Sequence, residues 1–359
     1  MKKILTVATG GTIGSSLIGG CRRLNTEVAQ STLLSNFFAS SSFLATTGEE
    51  LFADSGYKNK TLSENMTPEK LFDIYRHIRS FDLSDYEGVI ILHGTDTLAY
   101  TAAFLSVALC DTPIPVILVS GNRPPDMEDS NANHNFRCAA ELIARELSPN
   151  VYAVYRNSDG KTYLHLGSTL MQCPNFSEDF RSASEKNAAM LDGDNALSAE
   201  LLDRLRELSE DRHIKKFDLH ATKGNAMLLN PYVGLDYSRI DLDGVDGIVQ
   251  GSYHSGTFCA QGADSPYSFI GFAMRCAERG IPVYVAPCVI DENQYESVYE
   301  AKNYGIIPLS YTAELAFSKL LIGLSMELSG NSLYEFMTEI INNEYVKNED
   351  NYLNTKSRF

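Results

Sequence analysis

Short apolar runs alternate along this chain with segments of helical periodicity. Ile4–Ala8 (ILTVA), Gly88–Leu92 (GVIIL), Val116–Ser120 (VILVS) and Tyr152–Tyr155 are continuous apolar stretches, the pattern of strands buried on both faces. Pro68–Ser80 (PEKLFDIYRHIRS) has apolar residues at helical spacing, with Thr67 placed as N-cap and Pro68 at the first helical position. Ala99–Leu109 predicts a strongly apolar helix, and Asn133–Leu147 a helix rich in Ala, Leu and Arg. The alternation resumes in the second half. There Asn225–Leu229, Gly247–Gln250 and Pro282–Ala286 read as strands, and Phe269–Arg279 and Tyr311–Met326 as helices. This order predicts an α/β protein whose mostly parallel sheet is flanked by helices.

Asn175 to about Arg212 is polar and acidic, without a strong strand signal. It reads as a connection holding one helix near Ala199–Leu208. The expected division is a larger domain over 1–195, a connection over 196–222 and a smaller α/β domain over 223–359, and 359 residues suit two cores. The tail from Asn342 is polar and expected to fray.

Charge and cysteine usage narrow the function. The net charge is −16, from 46 acidic and 30 basic residues, which argues against a nucleic-acid partner. The seven cysteines are odd in number, scattered and free of any C-x-x-C, so a reduced compartment is expected, with no disulfide framework and no zinc site. The apolar run after Met1 is too short for a signal peptide, and no stretch is long enough to span a bilayer. The cytoplasm is the expected location, with no membrane partner.

Ligands of parallel α/β sheets bind beyond the carboxyl ends of the strands. Two polar clusters fall there. Thr9-Gly10-Gly11-Thr12-Ile13-Gly14 follows the first strand, and its glycines allow a tight turn that leaves the Thr12 hydroxyl accessible. It lacks the lysine of a P-loop and the G-x-G-x-x-G of a dinucleotide site. His93-Gly94-Thr95-Asp96-Thr97 follows the second strand and sets two hydroxyls and a carboxylate at the same sheet edge. Asp96 or Thr97 can be a plain helix cap. Alternatively, a threonine activated by a base is a nucleophile, with a carboxylate orienting that base or binding an amine.

Together these motifs resemble the L-asparaginase family. ATGGTIG at Ala8–Gly14 and LHGTDTLAYTA at Leu92–Ala102 are similar to its two signature motifs. Ser63–Thr67 resembles its substrate-binding loop, and Val119–Pro124 the segment after its next strand. The resemblance implies a two-domain fold, with a larger N-terminal mostly parallel sheet flanked by helices and a smaller C-terminal α/β domain. It implies Thr12 as the nucleophile on a side-chain amide, Thr95 as the second catalytic threonine, and Asp96 as the carboxylate that binds the substrate amine. It also implies substrate binding by Gly11, Ser63, Glu64 and Gly94, with backbone N–H groups near Gly94 and Thr95 forming an oxyanion hole. Ser255, in Gly251–Gly256, lies where the family's neighbouring subunit contributes to the site. A homodimer or homotetramer is therefore expected, acting without a cofactor on a small amino-acid amide such as asparagine.

Two departures stand out. The family's loop tyrosine is missing from Ser15–Leu24, where Cys21 is the nearest counterpart and Arg22 and Arg23 follow. The family's catalytic lysine follows a strand and ends a stretch similar to Asp159–His165, where His165 stands instead. His165 is a candidate base, Lys161 is the local alternative, and packing at a hairpin edge is the competing reading for His165. Three functions follow: an asparaginase-like amidohydrolase, a hydrolase of this fold with a different amide substrate, and a catalytically impaired amino-acid-binding homologue. The transfer-RNA amidotransferase subunit of this fold ranks lower. It normally carries an extra N-terminal domain, and the acidic balance disfavours RNA.

Overall fold

The computed structural model describes residues 2–40, 51–183, 188–191, 198–288, 290 and 295–344. They form two compact units: the described residues up to 182, those from 188 to 220 and 341–343 make the first, and 183, those from 221 to 340 and 344 make the second.

In chain order the first unit runs β1 (Lys3–Ala8), β2 (Ser15–Ile18), β3 (Cys21–Leu24), α1 (Thr26–Ser40), β4 (Phe52–Asp54), α2 (Pro68–Arg79), β5 (Tyr86–Leu92), α3 (Leu98–Ala108), β6 (Val116–Val119), α4 (Ala132–Ala144), β7 (Val151–Arg156), β8 (Thr162–Leu166), β9 (Ala188–Leu191) and α5 (Ala199–Glu210). Its sheet has the order β4-β1-β5-β6-β7-β8-β9. The pairings from β4 to β7 are parallel, whereas β8 and β9 add on antiparallel. The apolar runs are buried because helices cover the sheet. Leu71, Phe72, Ile74, Tyr75 and Ile78 form the buried stripe of α2, and α3 is buried all round, as its uniform apolarity requires.

Register fixes the site. Ala8 pairs with Leu92 and Leu92 with Val119, so the chain leaves β1, β5 and β6 at one level.

The second unit has a four-stranded parallel sheet, β10-β11-β12-β13, from β10 (Ala226–Leu229), β11 (Gly247–Gln250), β12 (Val283–Val285) and β13 (Ile306–Pro308). Helices α6 (Phe269–Glu278), α7 (Glu296–Ala301), α8 (Ala313–Ser325) and α9 (Gly330–Thr338) complete it. Its core gathers Phe258, Phe269 and Phe272 around Ile248 and Val283.

Several expectations need correction. Ser15–Leu24, expected as a loop, is the antiparallel hairpin β2–β3, paired from Ser15↔Leu24 to Ile18↔Cys21. The segment 26–40, given no element from sequence, is α1. Its buried residues Ala29, Leu33 and Phe37 recur every fourth position, and Phe37 meets Phe52 and Phe136 edge-on. The connection expected around 175–212 contains β9 as well as α5. Asn342 and Glu344 are buried rather than frayed: Asn342 donates to the Ser106 carbonyl at 2.8 Å, and Glu344 pairs with Lys319 at 3.1 Å. The remaining tail, 345–359, lies outside the described residues. No helix among the described residues is long and apolar enough to cross a membrane.

Candidate active site

The two threonine turns meet through their glycines. Gly10 and Gly11 take φ of 118° and 71°, conformations open to glycine and strained for other residues. This lets the chain double back so that the Gly11 N–H donates to the Thr61 carbonyl at 3.0 Å, while the Thr61 N–H donates to Thr9 at 2.8 Å. Gly11 lies against Gly94 so closely that a Cβ on Gly11 would stand 2.1 Å from the Gly94 Cα. A Cβ on Gly94 would in turn stand 2.3 Å from the Ser63 Oγ. Two glycine backbones therefore touch, and the Ser63 side chain closes over the second. The residues that follow the glycines, Thr12 and Thr95, both line one cleft of about 490 Å³ together with Ser63, Glu64 and Asp96.

Hydrogen bonds hold these groups in place. The Ser63 hydroxyl, 3% exposed, donates to the Asp96 carboxylate at 2.8 Å. The Thr97 hydroxyl donates to the Ser63 carbonyl at 2.9 Å. Thr97 is the N-cap residue of α3 but makes no capping bond, because that carbonyl takes its hydroxyl. Asp96 is likewise not a cap: its carboxylate holds Ser63 and is exposed to the cleft. The Ser15 hydroxyl closes the first turn onto the Gly11 carbonyl at 2.7 Å. Behind the second turn, His93 is fully buried, with Nδ1 2.8 Å from the Gly94 carbonyl and Nε2 2.9 Å from the Thr101 hydroxyl. Nδ1–H donating to the carbonyl leaves Nε2 to accept from the hydroxyl, so one neutral tautomer satisfies both. Burial pushes His93 down to about 4.

Sequence reasoning missed the remaining wall. Asn122 follows β6, and Gln172 to Phe180 come from the stretch between β8 and β9. The Gln172 side-chain amide donates to the Asp96 carbonyl. Only Asn122 had a sequence signal, within the segment similar to the family's third strand end.

Other expected site residues lie elsewhere. His165 is the fourth of the five residues of β8, paired with Ala153 and Ala188 and 1% exposed. Its Nδ1 is 3.0 Å from the Ser182 hydroxyl, its Nε2 meets no partner, and burial pushes it down to about 4. His165 was expected as a candidate base; it is buried and does not line the cleft. Lys161 is exposed and also outside the lining. Cys21 is exposed in the β2–β3 hairpin. Ser255 belongs to the second unit, its hydroxyl 3.0 Å from that of Thr257. A larger cavity, of about 670 Å³, lies in that unit at the amino ends of its strands, walled by Ala273, Ile281, Leu324 and Leu333 among others. It gathers none of the expected residues and sits at the edge where ligands of parallel sheets are not usually held. Among the described residues no group of three or more His, Cys, Asp or Glu is arranged to hold a metal.

Comparison with known proteins adds kinship to this geometry. Residues 3–199 match the family described as Asparaginase, N-terminal. A glutamyl-tRNA(Gln) amidotransferase subunit of Pyrococcus abyssi is 28% identical over 334 residues, which cover 89% of this chain and 72% of that protein. The corresponding protein of Archaeoglobus fulgidus is 37% identical over 133 residues, spanning 36% of this chain and 31% of the relative's length. Among solved structures, the thermostable L-asparaginase from Thermococcus kodakarensis has a TM-score of 0.72 at 22% identity, covering 96% of this chain and 99% of its own. L-asparaginase I from Vibrio cholerae has a TM-score of 0.68 at 21% identity, covering 96% and 100%. At such identities the structural likeness speaks for the fold, which is the expected one. The family match spans more than half of the 359 residues and takes in both threonine turns, and this chain belongs to the asparaginase family.

Proposed function

We propose that this chain is an amidohydrolase that acts through an acyl-enzyme on Thr12, with the side-chain amide of asparagine, or a related amide, as its substrate. The observation that carries the reading is the Gly11–Gly94 contact, which gives Thr12 and Thr95 a common cleft beside a carboxylate held by Ser63. In this scheme the Thr12 hydroxyl adds to the amide carbonyl, and backbone N–H groups at Gly94 and Thr95 bind the oxyanion. The C–N bond breaks as ammonia leaves with a proton, and water then cleaves the ester. Asp96 receives the substrate amine, and Ser63 orients Asp96. His165 has no part in the scheme. The oligomer proposed is a homodimer or homotetramer, with Ser255 supplied to a neighbour's site.

The names of the relatives favour a second reading, a different amide within the same chemistry. Amidotransferase subunits align over most of this chain. Gln172, rather than a lysine, reaches the backbone of Asp96. Ammonia release from L-asparagine, L-glutamine, D-asparagine and a wider amide panel tests both. Release from asparagine alone favours the first reading, and release from other amides alone favours the second. No release from any amide would leave the impaired, binding-only homologue standing.

A further inference from the structure

One wall of the cleft has no task in that reaction. The loop from Leu170 to Ser182 is tied at its base by the Leu170–Ser182 bridge and by the Met171 N–H donating to Arg181 at 2.9 Å. Nearer its tip, the Cys173 thiol donates to the Ser177 carbonyl at 3.2 Å. Asp179 accepts from the Ser158 N–H at 2.7 Å, and Phe180 packs edge-on against Tyr155 at 4.8 Å. The loop is thus fastened on both sides of its tip, and Phe176 occupies that tip.

Phe176 is unusual twice over. Its φ is 62°, in the turn that the Ser177 N–H closes onto the Pro174 carbonyl at 3.1 Å, a position that suits glycine or asparagine. Its ring is also fully exposed, at 110% of the reference area, beside the cleft. A strained backbone carrying a bare aromatic ring is disfavoured twice, and strain of this kind concentrates at ligand-contacting positions. The cleft also has a consistent charge. Glu64, Asp96 and Glu178 line it, and none of its described lining residues is Lys, Arg or His. Glu178 stands two residues beyond Phe176, its carboxylate steadied by the Asn122 side-chain amide at 3.2 Å. An exposed aromatic face with a neighbouring carboxylate suits a cation, whereas an anionic group would meet like charge.

We propose that Phe176 and Glu178 form an outer subsite for an ammonium or guanidinium group carried by the substrate beyond the amide that Thr12 attacks. The inference rests on the amidohydrolase reading and narrows its substrate class to amides borne by a longer, cationic molecule.

The test compares ammonia release from the dipeptides Asn-Lys and Asn-Glu by the full chain, by Phe176→Gly and by Glu178→Gln. Glycine suits the turn, so Phe176→Gly removes the ring without disturbing the fold. The wild type is expected to prefer Asn-Lys by about tenfold in kcat/KM, and the preference to fall towards unity in either variant. A wild-type ratio of one or below, or a ratio that survives both substitutions, overturns the subsite. Sedimentation of Phe176→Gly separates a further case: a changed oligomer with an unchanged ratio assigns the ring to contact between copies and also overturns it. Calorimetric binding of both dipeptides to Thr12→Ala separates the two readings. Preferential binding of Asn-Lys, with no amide hydrolysed by the wild type, upholds the subsite and ends the hydrolase reading. Hydrolysis of asparagine with equal handling of the dipeptides does the reverse.

Discussion

His93 and His165 are both sealed from solvent and both pushed down to about 4 by burial, yet one is bonded to the second threonine turn and the other is not. His93 stands one residue past β5, where the chain turns at Gly94 into the cleft, and each ring nitrogen has a partner. His165 lies within β8, between two strands, with one nitrogen unpartnered. A lowered pKa is thus a mark of burial and not of chemistry. What separates the two is what they hold: His93 is bonded to the Gly94 carbonyl of the turn that opens onto the cleft, and His165 to the Ser182 hydroxyl outside the lining of that cleft.

The contrast can be broken at the turn first. Gly11→Ala places a methyl 2.1 Å from the Gly94 Cα at a φ of 71°. It is expected to cost more than about 3 kcal/mol of stability and at least about 100-fold in kcat/KM. Denaturant midpoints and kinetics check this, and a well-folded, active variant would show that the two turns do not need this contact.

Acid acts on both histidines at once. In the folded chain they titrate near 4, and in the unfolded chain near the ordinary 6.5, so the unfolded state takes up protons first as pH falls. Their contribution is fully present above 6.5 and is lost between 6.5 and 4, by roughly 3 kcal/mol for each at the lower end. Urea midpoints at several pH values across this window should fall, and less steeply in a variant lacking either histidine.

Replacing them singly sharpens the difference. His93→Phe leaves the Gly94 carbonyl and the Thr101 hydroxyl without their partner, with an expected loss of about 2–4 kcal/mol and a lower kcat/KM. His165→Phe removes one unpartnered nitrogen and a single bond, that between Nδ1 and the Ser182 hydroxyl. It should change stability by about 1 kcal/mol or less. Its kcat/KM should stay within about threefold of the wild type. A hundredfold drop for His165→Phe, with the fold intact, would return that residue to the mechanism.

The same contrast explains what could be read from sequence. Ile4–Ala8 and Gly88–Leu92 were legible as strands because buried parallel strands are uniformly apolar, and the Gly-Thr clusters after them marked the strand ends. His165 stood as a candidate because spacing along the chain carries no record of the strands that flank it; in the fold it lies on β8 between β7 and β9. The wall from Gln172 to Phe180 was illegible for another reason. Its order comes from side-chain bonds such as Cys173 to Ser177 and Ser158 to Asp179, which leave no period in the sequence. In α1, Ala29, Leu33 and Phe37 did leave a period, but polar and apolar neighbours around the helix blurred it.

The central claim is that Thr12 is the nucleophile, and kinetics of Thr12→Ala beside Thr12→Ser on a hydrolysed amide test it most directly. The account predicts a loss of about 10³-fold or more in kcat for alanine with substrate binding retained, and partial recovery for serine, which keeps a hydroxyl. Thr12→Ala turning over within about tenfold of the wild type would contradict it.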